Sequence, residues 1–312
     1  MNKKKFKNVL VVLGGSSGER KVSLESGRAC IKALKKKGYK VFTFDPKKKN
    51  YNLINKQNID VIFNALHGRE GEDGVAQSYF EYLKIPYTHS GVVSSFNAMN
   101  KLISKEIFLK KKINTPNFLS INKLNFNKAK LKKEIKRKKI KFPIVLKPIN
   151  EGSSIGVTIC KSAKKLMNSL KLLLKKYNEL MIEEYIGGQE IQVAVINGHP
   201  LGAIELIPKR LFYDYKAKYT KKANTEHIMP ARLTKVKYKQ VLNIAKKTHK
   251  ALNCRGVTRS DFKFYNNNFY LLELNTQPGM TSLSLVPEIA NYRGLIFENL
   301  VEKILLDAST NR

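Results

Sequence analysis

The sequence predicts a mixed α/β (α+β) protein in which a parallel, doubly wound sheet is followed by antiparallel sheets. In roughly the first 95 residues, short apolar runs alternate with amphipathic stretches, which is the pattern of parallel strands joined by helices. From residue 189 to 207, and again from 259 to 275, strand-like runs follow one another with only short turns between them, which favours antiparallel pairing. A length of 312 residues is enough for two or three domains with separate cores.

The first unit begins with a buried strand and a glycine-rich loop. An uninterrupted apolar run ends at Gly14, and the amphipathic stretch after the loop ends at Gly38, a residue typical of helix termini. In order, we predict a strand at 9–13, a loop at 14–18, a helix at 23–37, strands at 41–44 and 61–65, a helix near 74–83 and a short strand around 86–87. Ligands of such sheets bind at the carboxyl edge of the strands.

The rest of the chain divides into two further units. We predict a helix at 101–112, a strand at 142–147, a loop at 151–157, a return strand at 157–160, a helix at 163–177 and a strand at 180–183. Antiparallel strands follow at 189–207, and a polar, aromatic stretch at 212–219 has the composition of a long loop. The lysine-, isoleucine- and asparagine-rich stretch at 121–140 predicts nothing definite. The expected organisation is three units, at residues 1–95, 96–186 and 187–312.

The composition is that of a soluble globular protein with an unusually basic surface. Net charge is +35, from 59 Lys and Arg against 24 Asp and Glu, and the excess lysine is spread along the chain. Because no aromatic-interleaved basic stripe accompanies it, a solvated surface is favoured over a nucleic-acid or membrane interface. Three widely separated cysteines fit a reducing, cytoplasmic compartment, and no segment approaches the roughly 18 apolar residues that span a bilayer.

The most informative local feature is a predicted hairpin near the C-terminus. Two alternating runs, 259–265 and 269–275, flank three asparagines that suit a three-residue loop. In that register Asp261 lies opposite Glu273, with Asn275 two residues further along the same face. It also pairs Tyr265 with Phe269 and Lys263 with Leu271, and it places Phe262, Phe264, Tyr270, Leu272 and Leu274 on the opposite face.

Two carboxylates directly across a strand pair repel each other unless a cation lies between them. Mg²⁺ suits this arrangement because it is a hard ion that takes one or two protein carboxylates and completes its shell with water and substrate phosphates. Zinc is disfavoured because the sequence has no cluster of Cys and His. The alternative is a surface hairpin with scattered acids, which the scarcity of acids in this chain makes less favoured.

The loop at 152–156 is a candidate phosphate-binding loop. It combines glycine with small hydroxyl residues, so its main chain can approach a phosphate closely. It lacks the GxxxxGK[ST] spacing and is therefore not a Walker loop. Lys147, at the end of the preceding strand, would neutralise phosphate charge.

The loop at 14–20 resembles a dinucleotide-binding turn only superficially. Its glycines do not fit GxGxxG, and Asp45 followed by Pro46 is a poor match to the acidic residue that ends the second strand. The helix start could instead bind a small anionic substrate, with Glu19 as the partner of an amine. His67 follows the third strand among glycines at the predicted ligand edge, which makes it a candidate substrate contact as well as a candidate structural residue.

Several separate motifs together resemble the D-alanine–D-alanine ligase family of the ATP-grasp superfamily. They are residues 14–23, 67–74, Lys147 with 151–156, 212–219, 259–261 and 273–285, and they cover nearly the whole chain. The most specific stretches are LELNTQPGMT at 272–281 and FYDYKAKY at 212–219. The resemblance implies an ATP-grasp fold, in which two antiparallel sheets clamp ATP. It also implies ligation of two D-alanine molecules through a D-alanyl phosphate, a step of peptidoglycan precursor synthesis, by a homodimer.

The resemblance also implies roles for individual residues. For ATP these are Lys101, Lys147 and Lys218 at the phosphates, the loop of Gly152, Ser153 and Ser154 over them, and Glu183, Glu184, Ile186 and Glu190 at adenine and ribose. Asp261, Glu273 and Asn275 would bind two Mg²⁺ (or Mn²⁺) ions. For the amino acids, Glu19 would hold the first ammonium and Ser284 and Leu285 the second carboxylate. Arg259 and the Gly279 N–H would stabilise the oxyanion, while Ser153 and Tyr219 would link Glu19 to a closing loop.

Three alternatives stay open. Glu184 stands where many members of the family have a lysine, which leaves base recognition undetermined. Tyr219 favours the dipeptide-forming kind over a D-alanine–D-lactate ligase, but that ligase and other ATP-grasp carboxylate–amine ligases remain alternatives. From a different class, a basic nucleic-acid-binding protein would bind in a strongly salt-dependent way and would not turn over ATP.

Overall fold

The computed structural model describes residues 5–54, 58–208 and 225–311, and within them the chain forms three sheets. The predicted loop at 212–219, with Lys218 and Tyr219, lies outside the described residues. The first sheet is parallel, in the order β2-β1-β3. Its strands are β1 (Asn8–Val12), β2 (Lys40–Phe44) and β3 (Val61–Asn64), and its helices are α1 (Arg20–Lys36) and α2 (Val75–Leu83). The helix α3 (Val92–Met99) follows and packs through Ala98 in the apolar core of the third sheet. A short 3₁₀ turn lies at Tyr51–Leu53.

The second sheet is antiparallel, in the order β4-β7-β5-β6. Its strands are β4 (Phe118–Asn122), β5 (Ile144–Pro148), β6 (Thr158–Cys160) and β7 (Glu179–Glu184), and the helices packed on it are α5 (Lys128–Arg137) and α6 (Ala163–Leu173). The helix α4 (Lys101–Lys110) precedes this sheet in the chain and packs through Phe108 in the apolar core of the third sheet. The stretch at 121–140, which gave no definite prediction, contains all of α5 and the end of β4. α5 buries only Leu131 on an otherwise lysine-rich surface, so its apolar periodicity was too weak to identify.

The third sheet is also antiparallel, in the order β10-β9-β8-β11-β12. Its strands are β8 (Gln189–Ile196), β9 (His199–Ile207), β10 (Glu226–Ile228), β11 (Val257–Tyr265) and β12 (Asn268–Asn275), followed or flanked by α7 (Lys235–Ala251), α8 (Leu285–Tyr292) and α9 (Phe297–Leu306). The predicted order of structural units, a parallel sheet followed by antiparallel sheets, is therefore confirmed. Among the described helices, none combines the length and apolarity that crossing a membrane requires.

The apolar cores connect these sheets unequally. One cluster joins the first sheet, through Val9 and Phe63, to the third sheet, through Ala194 and Ile204, and to α8 and α9. By contrast, the core of the second sheet is confined to residues 119–182. The first and third sheets thus share a continuous core, whereas the second sheet packs on its own helices.

The hairpin of β11 and β12 corrects one sequence prediction. Its turn has two central residues, Asn266 and Asn267, both left-handed at φ 44° and 62°, instead of the predicted three. Tyr265 therefore pairs with Asn268 and Lys263 with Tyr270. A bulge at Leu272, between the pairs Phe262–Leu271 and Asp261–Glu273, then restores the predicted opposition of the two carboxylates.

The bulge also changes which residues face the core. Phe269 and Leu271 are buried in the apolar cluster under α7, together with Phe262 and Leu274. Leu272, which had been assigned to that face, instead lines the cleft on the other side of the sheet. Tyr270 pairs with the cleft residue Lys263, so its assignment to the core face was also wrong.

Candidate active site

A cleft lined by residues of both sheets lies between the second and third sheets. Its apolar walls come from both sheets and include Val145, Ile159, Ile186 and Leu272, while charged side chains line the rest. A mostly apolar slot with a few convergent charged groups is the usual form of a small-molecule site, and its apolar part suits a flat, weakly polar group. The opposition of the two antiparallel sheets therefore creates the principal candidate site.

The cleft concentrates negative charge in a strongly basic chain. Of the 24 Asp and Glu residues in the sequence, six line this cleft: Glu151, Glu183, Glu184, Glu190, Asp261 and Glu273. The lysines that line it are Lys101, Lys147 and Lys263. Since like charges at close range are unfavourable, such a concentration of acids favours the binding of cations.

Asp261, Glu273 and Asn275 are brought together as predicted. Asp261 and Glu273 are a directly opposed pair, and the Asn275 amide nitrogen lies 3.5 Å from Asp261 Oδ2. Both Asp261 oxygens also accept hydrogen bonds from Arg259, at 2.7 Å from Nε and 2.9 Å from Nη2. Across the described residues, no group of three or more His, Cys, Asp and Glu side chains is placed to hold a metal. The candidate donor set is thus two carboxylates and one amide oxygen, hard donors that fit Mg²⁺ or Mn²⁺.

Lys101 lies beside this group at the start of α4. Its ammonium donates to the Glu151 carbonyl at 2.6 Å and lies 3.6 Å from Glu273 Oε2. Asn100 caps the helix by accepting from the backbone N–H groups of Leu102 and Ile103, which fixes the orientation of the first turn. Lys101 is therefore held at the junction of the candidate phosphate loop and the candidate metal ligands.

Glu19 lies at the N-terminus of α1, against the loop at 152–156. Ser153 Oγ donates a hydrogen bond to Glu19 Oε1. A methyl group on Gly152 would lie 2.5 Å from Glu19 Oε2, and one on Gly68 would lie 2.7 Å from the same oxygen. The buried carboxylate is thus enclosed by two glycines, each of which is needed for its close approach to the backbone.

The loop itself is held in an uncommon conformation. Ser153 and Ser154 have left-handed φ values of 47° and 60°, and Gly156 follows at 73°. Non-glycine residues in this region cost of order 1–3 kcal/mol and concentrate at functional sites. The Ile155 N–H donates to the Gly152 carbonyl at 3.0 Å, which closes the turn.

His67 is buried at the end of β3 and contacts side chains of the first unit. Its Nδ1 lies 3.1 Å from Glu72 Oε1, and its Nε2 lies 3.1 Å from Ser26 Oγ. Ser26 Oγ in turn accepts a hydrogen bond from the Met280 N–H at 3.1 Å. The geometry described thus connects His67 to the segment 276–285.

Gln277 falls within the specific stretch 272–281, but the sequence analysis gave it no separate role. It is fully buried, accepts a hydrogen bond from Asn64 Nδ2 at 2.7 Å and donates to the Leu66 carbonyl. These bonds fasten the segment that carries Gly279 to the carboxyl end of β3. Its own role could not be inferred from the sequence, because that role depends on the two units meeting here.

Gly279, Ser284 and Leu285 form the end of the site next to α8. Ser284 Oγ accepts from the Thr281 N–H at 2.9 Å, and a methyl group on Gly279 would lie 2.8 Å from that same oxygen. Leu285 is buried as the first residue of α8, immediately after Ser284. A helix N-terminus with a hydroxyl beside it is suited to an anionic group.

Glu183 has partners that the sequence analysis did not anticipate. Its Oε2 lies 2.5 Å from the ammonium of Lys147, and its Oε1 forms an ion pair with Lys105, whose side chain is fully buried. Burial alone would raise the pKa of Glu183, but the two lysines lower it below its usual value. Lys105 was missed because one lysine among many carries no signal, although it lies one helical turn after Lys101.

The remaining predicted nucleotide contacts also line the cleft. Glu184 Oε2 accepts a hydrogen bond from Asn117 Nδ2 at 3.0 Å, and Glu190 Oε2 lies 3.0 Å from the ammonium of Lys263. Ile186 lies between them in the sequence, is buried and lines the same cleft. The connection from β7 to β8 therefore brings acidic and apolar groups to one wall of the cleft.

Comparison with known proteins places this architecture in one family. Residues 107–306 match the family model described as D-ala D-ala ligase C-terminus, and residues 45–90 match D-ala D-ala ligase N-terminus. The D-alanine–D-alanine ligase of Pelagibacter ubique (strain HTCC1062) is 54% identical over 98% of this chain and 99% of its own length. That of Geotalea uraniireducens (strain Rf4) is 40% identical over 98% and 96%.

Solved structures agree with the sequence comparisons. The crystal structure of D-alanine–D-alanine ligase from Bacillus anthracis is 32% identical, with a TM-score of 0.84 over 96% of this chain and 97% of that one. A structure of the enzyme from the same organism complexed with ATP is 31% identical, with a TM-score of 0.84 over 97% of each chain. The fold is therefore the ATP-grasp fold predicted from the motifs, and the chain belongs to the D-alanine–D-alanine ligase family.

Proposed function

We propose that this protein joins two D-alanine molecules into D-alanyl-D-alanine with hydrolysis of ATP to ADP and phosphate, as a step of peptidoglycan precursor synthesis. The observation that carries the proposal is the contact between Ser153 of the phosphate loop and Glu19. This contact joins a carboxylate suited to a substrate ammonium to the loop that borders the acidic cleft. Family membership supports the same activity.

ATP would occupy the cleft with its base in the apolar slot. Glu184, Ile186 and Glu190 line the part of the cleft where base and ribose would lie, and Ser154 lines the same cleft. Lys101 and Lys147 would neutralise the negative charge of the phosphates, which the acidic side chains of the cleft would otherwise repel. Glu183, which holds Lys147, would act through that lysine as well as at the base.

Asp261, Glu273 and Asn275 would hold Mg²⁺ or Mn²⁺, with two ions per site as the family resemblance implies. When bound, the metal supplies positive charge that neutralises the transferring phosphoryl group. The opposed carboxylates and the nearby amide support this assignment. Arg259, which now pairs with Asp261, belongs to the same charged group and would stabilise negative charge on the substrate.

The chain's own groups account for the two chemical steps. In the first, a carboxylate oxygen of one D-alanine bonds to the γ-phosphorus of ATP, and ADP leaves. In the second, the amine of the other D-alanine bonds to the acyl carbon, and phosphate leaves after the amine loses a proton. Glu19 would orient the first ammonium, and Arg259 with the Gly279 N–H would stabilise the oxyanion.

Ser284 and Leu285 would position the carboxylate of the second D-alanine at the start of α8. The hydroxyl cluster of Thr281 and Ser284 and the helix N-terminus support this orientation. His67 would support the segment at 276–285 through Ser26. Burial of these groups would keep water from the acyl phosphate.

The proposed organisation and setting follow the same reasoning. Each proposed unit, at 1–95, 96–186 and 187–312, contains the strands of one sheet.

Buried, unpaired thiols at Cys30, Cys160 and Cys254 support a reducing compartment, which we propose to be the cytoplasm. Exposed apolar side chains on α2 and α3, such as Tyr82 and Val93, support a homodimer, which sedimentation analysis would test.

Phosphate release with D-alanine, L-alanine and D-lactate, each with Mg²⁺ and ATP, tests the function. We expect release with D-alanine alone, no release with L-alanine, and no gain at neutral pH when D-lactate is added to limiting D-alanine. Release that increases with D-lactate and yields the ester would identify a D-alanine–D-lactate ligase. Absence of release with every substrate would refute the proposal.

A further inference from the structure

Lys105 is a fully buried cation directly behind the nucleotide cleft. It lies on α4, and its side chain has no exposed surface. Its ammonium donates to Thr115 Oγ1 at 2.5 Å and pairs with Glu183 Oε1, while Thr115 donates onward to the Leu271 carbonyl at 2.8 Å. Direct contacts to two separate segments, one of them fastened through Thr115 to a third, hold this charge in one position.

Burying an ammonium is costly unless it is compensated, so the arrangement demands an explanation. Burial lowers the pKa of Lys105 to about 8, and the nearby Glu183 carboxylate opposes a further fall. At neutral pH the lysine therefore remains largely protonated. An apolar side chain would fill the same volume without this cost, so packing alone does not account for a lysine here.

The charges of the group show what the buried lysine does. Glu183 contributes one negative charge and is contacted by two ammonium groups, Lys147 from the cleft side and Lys105 from the buried side. With both lysines protonated, the group carries a net charge of one positive unit. Without Lys105, the carboxylate would cancel the charge of Lys147, and a phosphate entering the cleft would meet a neutral pair.

We propose that Lys105 is a positioning residue for nucleotide binding: it neutralises Glu183 from behind, so that the charge of Lys147 remains available to the nucleotide phosphates. This inference rests on the proposed function, because it takes ATP as the occupant of the cleft. It assigns to Lys105 an effect on phosphate affinity without contact between Lys105 and the ligand. The recognised chemical class is a nucleoside di- or triphosphate.

The test compares the dissociation constants of ADP and adenosine by calorimetry, in buffer with EDTA so that the lysines are measured without a metal. Lys105→Gln removes the charge and keeps a polar, hydrogen-bonding side chain that is one atom shorter than lysine. A unit charge several ångström from a phosphate, at an effective dielectric near 20, changes affinity by roughly tenfold or more. We expect ADP binding to weaken by that factor and adenosine binding to change less than about twofold.

Three further variants separate charge from structure. Lys105→Arg keeps the charge and should keep the wild-type ratio of the two constants within roughly threefold. The double variant K105Q/E183Q restores one net positive charge and should regain that ratio, although adenosine affinity itself can change with Glu183. Lys110→Gln, at an exposed position of the same helix, removes an identical charge and should leave both constants unchanged.

The outcomes discriminate between the possibilities. Equal weakening of ADP and adenosine in Lys105→Gln, or a double variant that stays as weak for ADP as the single one, would overturn the inference in favour of a purely structural lysine. If Lys105→Gln does not fold, the double variant decides, because it must match the wild-type ratio. Failure of the wild-type protein to bind ADP both in EDTA and with Mg²⁺ present would instead refute the proposed function.

Discussion

Replacing Gly152 by alanine should displace the Glu19 carboxylate and with it the first D-alanine. The added methyl carbon would lie 2.5 Å from Glu19 Oε2, a separation that real contacts do not reach. Because Gly152 has no left-handed φ, the substitution causes no backbone strain of its own. The effect is therefore a steric one on a single carboxylate.

The size of the displacement follows from the same contact. To reach ordinary van der Waals contact at 3.4 Å, the carboxylate oxygen must move by about 0.9 Å, which also disturbs the hydrogen bond from Ser153. A misplacement of about 1 Å typically costs about a hundredfold in rate. We expect kcat/KM for D-alanine to fall by roughly this factor, while KM for ATP changes less than about threefold.

Steady-state phosphate release, with each substrate varied in turn, measures both constants. Gly187→Ala is the matched control, because a methyl group at Gly187 meets nothing within 4 Å and its φ is not left-handed. This control should retain wild-type constants. If Gly152→Ala also retained kcat/KM for D-alanine within about threefold, Glu19 would not be the ammonium partner, and the reasoning from the enclosed carboxylate would be wrong.

Three other perturbations test separate parts of the molecule. Asp261→Asn and Glu273→Gln should each reduce Mg²⁺-dependent ADP formation by roughly a hundredfold with an unchanged circular dichroism spectrum, and undiminished turnover in either would contradict the metal assignment. Burial lowers the pKa of His249 to about 4. Because the pKa of a histidine in the unfolded chain is near 6.5, the free energy of unfolding should fall by about 2 kcal/mol between pH 7 and pH 5. In His249→Gln, the free energy of unfolding measured in urea should depend less on pH. Asn267→Gly should be more stable than Asn267→Ala by roughly 1 kcal/mol in thermal unfolding, because this turn position is left-handed, and equal stability would argue against that turn.

The hairpin illustrates how far the sequence alone could lead. Alternation and charge predicted that Asp261 opposes Glu273, and they do. The predicted three-residue loop was wrong, and so was the register nearer the turn, because Asn266 and Asn267 form a tighter turn and Leu272 bulges. A bulge depends on packing against both faces of the sheet at once, which local periodicity does not record.

Buried polar connections were the other limit. The motif residues were recognisable because glycines, acids and lysines stood at characteristic spacings. Lys105 gave no such signal, and Gln277 stood in a recognised stretch without an evident role of its own, since each acts by joining segments that are distant in the sequence. Their contributions arise only when the units pack together, so a reading of one segment at a time could not identify them.

The unequal sharing of apolar cores has a mechanical consequence. Nucleotide exchange requires the two sheets that enclose the cleft to separate, and separation will follow the boundary that buries the least continuous apolar surface. Since the first and third sheets share an apolar core that includes Val9 and Ile204, they will move as one unit. The second sheet, built from residues 118–184, has a separate core and is therefore the part that moves. Its movement carries Lys147 and the loop at 152–156 away from Glu19.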